Sequence, residues 1–88
     1  MIPDLKFKKI NTFSHYTRAE IFFNNGYGAI ILQPNVMGEA LDIYQLSVVK
    51  GESGNYKYAV LPETHLGKVT VPGGILSSVL QEIKSTRI

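Results

Sequence analysis

The chain has 88 residues and a mass of 9.8 kDa, which allows a single domain, residues 1–88, with one core. Its composition, 44% hydrophobic and 18% charged, is that of a globular chain, and no apolar run approaches the ~20 residues of a membrane span. The absence of cysteine excludes disulfides, zinc–thiolate sites and thiol nucleophiles, and a formal charge of +2 falls short of the basic stripe that grips a phosphate backbone.

Leu5–Ile10 begins with apolar–polar alternation, which predicts a short strand with Leu5 and Phe7 inward. The lysines within Met1–Ile10 stand where a secretory leader needs its apolar segment, so a cytoplasmic setting is expected. Thr17–Asn24 and Tyr27–Gln33 are β-prone runs separated by Asn25-Gly26, a pair that tolerates the positive φ of a type I′ turn. A loop of those two residues would set Phe23 against Gly28, Ile21 against Ile30 and Ala19 against Leu32, with Gly28 clearing space for the Phe23 ring. The reverse face would carry Arg18, Glu20, Phe22, Tyr27, Ala29 and Ile31.

Pro34–Ala40 reads as a connecting loop, with Pro34 ending the strand. Leu41–Lys50 and Asn55–Leu61 are two further strands joined by Gly51–Gly54, a register that would pair Val49 with Tyr56 and Ser47 with Tyr58. Pro62–Lys68 reads as a loop. The one helix follows, with Thr70 as N-cap, Pro72 in its first turn, and Ile75, Leu76, Val79, Leu80 and Ile83 as its apolar stripe.

These elements predict an α+β fold: an antiparallel sheet of four to five strands with one C-terminal α-helix packed on one face. A single helix covers only one side. The other side would expose tyrosine, phenylalanine, valine and isoleucine, a patch that marks an interface with a protein partner or a second copy in a homodimer. Phe22, Tyr27, Tyr56 and Tyr58 are its candidate contact residues, because tyrosine buries area while keeping a polar tip. A strongly coiled sheet that folds its own second face away is the alternative.

Other chemistry finds little support. Asn25–Leu32 is similar to the central motif of RNA-recognition domains, but Asn25 replaces its basic residue and Ala29 and Leu32 occupy its aromatic positions. Gly26-x-Gly28 lacks the third glycine of a dinucleotide loop. Glu63-x-His65 supplies two donors where a stable metal site needs three or four, and Ser14-His15 adjacency does not make a nucleophile–base pair. No catalysis, cofactor or metal is therefore expected. Lys6, Lys8 and Lys9 form the one basic cluster, with Arg18 further on, and these four are the candidates for nucleic-acid contact; a solvated N-terminal strand edge guarded by lysines is the preferred reading of them.

In the order of its motifs, the stretch from Phe23 to Ile83, about two-thirds of the chain, resembles a group of very small proteins encoded by bacteriophages and prophages. The matching segments are Phe23–Ile31 with its Asn-Gly-Tyr-Gly-Ala, Ile43–Val49, and Leu66–Ile83. The Val-Pro-Gly-Gly before the helix departs from that pattern, where such proteins often carry acidic residues. The group has no assigned activity, so no functional residue carries over. The resemblance implies an accessory protein in the host bacterial cytoplasm that binds, and by analogy inhibits, a host complex such as a defence nuclease. A small nucleic-acid-binding regulator and a structural homo-oligomeric subunit are the alternative functions.

Overall fold

The computed structural model describes residues 7–9 and 15–86. They form an antiparallel sheet and one C-terminal helix, an α+β fold. In chain order the elements are β1 (Lys8–Lys9), β2 (Tyr16–Phe22), β3 (Tyr27–Val36), β4 (Glu39–Ala40), β5 (Ile43–Glu52), β6 (Asn55–Tyr58), β7 (Lys68–Pro72) and α1 (Gly73–Lys84). The strand order is β1-β2-β3-β5-β6, with β4 added beside β3 and β7 beside β5. Leu5 and Lys6 lie outside the described residues. Phe7 turns inward as expected, its ring 5.7 Å from that of Tyr44.

The first hairpin departs from its expected register by one residue. Phe22 pairs with Gly28, Ile21 with Ala29 and Ala19 with Ile31. Its loop has three residues, Asn24-Asn25-Gly26, closed by Phe23 N–H to the Tyr27 carbonyl at 2.8 Å, with Gly26 at φ 87°. A left-handed glycine after two turn residues is the three-residue hairpin loop with a G1 bulge, which competes with the two-residue type I′ loop for the same Asn-Gly signal. Because side chains alternate, the slip exchanges the faces of one strand against the other. Ile21 and Phe23 thus share a face with Tyr27, Ala29 and Ile31, and Gly28 clears space for Phe22 rather than Phe23.

The second hairpin has a two-residue loop, Ser53-Gly54, so Val49 pairs with Tyr58 and Gly51 with Tyr56. That slip of two residues keeps the expected faces. Pro34 does not end β3: it pairs with Tyr16 of β2, and its carbonyl accepts from Leu41 N–H at 2.9 Å on the other side. The Gln33 side chain, in place of the missing Pro34 N–H, donates to the Leu41 carbonyl at 3.0 Å. The chain then reverses at Met37-Gly38, both at positive φ (52° and 85°).

Strand β5 uses its two halves differently. Val49–Glu52 pair with β6, and Ile43–Ser47 pair with β7 on the same edge. Between them the chain leaves the sheet over residues 59–67, and Val48 holds both ends. Ala59 N–H donates to the Val48 carbonyl at 3.0 Å, and Val48 N–H donates to the Gly67 carbonyl at 2.7 Å. Leu61, 1% exposed, drops from this excursion into the core. The expected strand Asn55–Leu61 therefore stops at Tyr58, and the expected loop and first helical turn include β7.

Thr70 lies within β7 and is not the N-cap. That position belongs to Pro72, extended at φ −70°, and the first N–H of the helix, Gly73, donates to the Asp42 carbonyl at 3.1 Å. Leu76, Leu80 and Ile83 are buried, Val79 is half-buried, and Ile75 is exposed at the edge of the stripe. Leu76, Val79, Leu80 and Ile83 pack on Ile21, Tyr27, Ala29, Ile31, Leu46, Val48 and Val71 to form the core.

Candidate protein-binding face

The face of the sheet away from α1 follows from strand alternation. It carries Arg18, Glu20 and Phe22 on β2, Gly28, Ile30 and Leu32 on β3, Ile43, Gln45, Ser47 and Val49 on β5, and Tyr56 and Tyr58 on β6. Part of it closes on itself. Phe22 and Tyr56 stand on strands separated by β3 and β5, yet their ring centroids are 5.9 Å apart. Their strand partners are Gly28 and Gly51, so no side chain stands at either position to keep the rings apart. The coil of the sheet brings the two outer strands together over this gap.

Polar groups complete the closure. Arg18 Nη2 donates to the Tyr56 hydroxyl at 2.8 Å and lies 3.3 Å from the Glu20 carboxylate, to which Ser53 Oγ donates at 2.6 Å. Ile30 and Val49 are buried although, among the described residues, no helix covers their face. The coiled-sheet alternative thus holds at this end, and the expectation of a wholly exposed apolar face does not.

Beyond the closed cluster the face opens. Tyr58 meets Tyr56 edge-on, with centroids 6.2 Å apart and planes at 82°, and is itself 72% exposed. Beside it lies an open hollow of about 370 Å³ lined by Val48, Tyr58, Ala59, Val60, Gly67 and Lys68, where the 59–67 excursion parts from the sheet. Val60, on its rim, is 56% exposed. The sequence carried no signal for this hollow, since residues 55–61 read as one unbroken strand.

Three of the four candidate contact residues, Phe22, Tyr56 and Tyr58, therefore come together on this face. Tyr27 does not. The one-residue slip places it in the core beneath α1, 6% exposed, with Lys50 Nζ 5.5 Å from its ring centroid. Among the basic candidates, Lys6 lies outside the described residues; Lys8 pairs with Arg18 and Lys9 with Thr17. Arg18, though, is engaged by Glu20 and Tyr56. His15 precedes β2 and His65 sits in the excursion at φ 57°, both exposed. Among the described residues, no three His, Asp or Glu side chains group as metal ligands, and no helix is long and apolar enough to cross a membrane.

No model of a known family, no curated protein and no solved structure matches the chain.

Proposed function

We propose that the chain is a non-catalytic binding protein of phage type that docks on a bacterial host complex, such as a defence nuclease, and inhibits it by occupying a surface. The observation that carries this reading is Tyr58: a large ring, 72% exposed, at the mouth of an apolar hollow. Phe22, Tyr56 and Arg18 are held by contacts within the chain, so the ground on which Tyr58 stands is ordered before binding and little entropy is lost there. Aromatic anchors on rigid supports dominate protein interfaces. The phage setting rests on the resemblance of Phe23–Ile31, Ile43–Val49 and Leu66–Ile83 to small phage proteins.

The test is capture from a bacterial lysate by the wild-type chain and by Tyr58→Ala, with light scattering on each purified protein. The reading expects a wild-type monomer that captures one defined host complex, and loss of that complex with Tyr58→Ala at unchanged far-UV circular dichroism. A homodimer that captures nothing overturns it in favour of a structural subunit. Binding of duplex DNA that weakens steeply with salt overturns it in favour of a nucleic-acid regulator. Arg18 argues against that outcome, since its charge is already matched by Glu20.

A further inference from the structure

Asn25-Gly26 is the one Asn-Gly pair in the sequence, and the fold gives Asn25 a task far from its own hairpin. Its carboxamide nitrogen donates to the carbonyls of Ile83 at 2.8 Å, Lys84 at 3.2 Å and Thr86 at 2.8 Å, at the C-terminal end of α1. Its carboxamide oxygen accepts from Tyr27 N–H at 3.0 Å. The last carbonyls of a helix lack intrahelical partners. Here Ser85 N–H serves Gln81, Thr86 Oγ1 serves Glu82, Thr86 N–H and Asn25 serve Ile83, and Asn25 alone among these groups serves Lys84. One side chain from the β2–β3 turn thus latches the end of the helix.

Asparagine before glycine is the pair most prone to spontaneous deamidation, because glycine leaves its backbone nitrogen unshielded. That nitrogen attacks the asparagine Cγ, the carboxamide C–N bond breaks, and ammonia leaves with the proton that glycine loses. Water then opens the cyclic succinimide to aspartate or isoaspartate. In the folded chain the reaction is blocked twice. Gly26 N–H donates to the Phe23 carbonyl at 3.3 Å, and the Asn25 carboxamide cannot turn onto the Gly26 nitrogen without leaving its partners.

We propose that Asn25 is a latent modification site: folding suppresses its deamidation, and deamidation, once it occurs, unlatches α1. The product carboxylate has no N–H to donate. It would face the carbonyl oxygens of Ile83, Lys84 and Thr86 at the negative end of the helix dipole, where an anion is repelled. The modification is therefore one-way, converting each excursion into the unfolded state into a chance of permanent destabilisation.

Peptide mapping of the wild-type chain at mildly alkaline pH, in buffer and in strong urea, measures the first half. The Asn25 peptide should convert at least an order of magnitude more slowly in buffer; equal rates overturn the proposal. Urea unfolding of Asn25→Asp and Asn25→Ala across pH measures the second. Both should lose stability, but only Asn25→Asp should regain part of it as pH falls and its new carboxyl protonates. Burial against carbonyls raises the folded-state pKa of that carboxyl, so its neutral form retains stability that is lost as pH rises through that value. Stability like that of wild type at neutral pH, or the same pH profile in both variants, overturns the latch. Should neither variant fold, the wild-type rate comparison still decides.

Discussion

At Gly28 the backbone of β3 passes so close to the Ile21 carbonyl and the Phe22 ring that a Cβ would overlap both. The buried partner is backbone and cannot swing away, so Gly28→Ala should cost roughly 1–3 kcal/mol in urea unfolding. Gly74 is the opposite case: it sits in the first turn of α1 with open space around it. Gly74→Ala should raise stability by about 1 kcal/mol, the helix-propensity difference. A similar contrast separates the two tyrosines. Tyr56 carries a ring contact and accepts from Arg18, so Tyr56→Ala should destabilise by roughly 1–3 kcal/mol, whereas exposed Tyr58→Ala should stay within about 0.5 kcal/mol. Only Tyr58→Ala therefore reports on binding without disturbing the fold. Both glycines and both tyrosines are legible in the sequence, but which member of each pair is crowded is not, because the crowding comes from residues distant along the chain.

The elements divide into those whose ends are set locally and those set by neighbours. The β3–β4 reversal at Met37-Gly38 has both central residues at positive φ, where a two-residue hairpin loop prefers asparagine or glycine. Met37 is also 98% exposed, so it gains no burial for its strained backbone. Met37→Asn should raise the urea midpoint, with a gain of up to about 1 kcal/mol, the scale of the penalty a side chain meets in the left-handed region. The 59–67 excursion depends on one plug instead. Leu61→Ala should cost about 2–5 kcal/mol, since the removed atoms leave a cavity against Val48 and the helix side of the sheet. Neither feature could be read from composition. Pro34 and Gly38 both signalled a loop, while Ala59-Val60-Leu61 kept strand chemistry in a segment that leaves the sheet.

For the whole molecule, the shortest dimension is 22 Å, the depth of one helix layer on one sheet layer. Two layers leave a second sheet face, and the molecule answers that problem in part by itself: coiling draws Phe22 and Arg18 toward Tyr56, and Ile30 and Val49 are buried without a partner. The part of this face left open is smaller than the whole and centred on Tyr58, which is where the proposed partner would dock. Light scattering should accordingly find the purified chain monomeric at micromolar concentration.

The sequence alone determined the fold class, the single C-terminal helix with its buried Leu76, Leu80 and Ile83, and the alternation that sets Tyr56 and Tyr58 on one face. These follow from periodicity and turn chemistry, which act between residues close in the chain. Tertiary structure alone decided the hairpin register that buries Tyr27, the return of β7 to the edge of β5, and the hollow beside Tyr58. Two- and three-residue loops satisfy Asn-Gly almost equally, so local preference cannot choose between them. The choice falls to distant contacts, among them the bonds from Asn25 to the end of α1, which form only when the whole chain has folded.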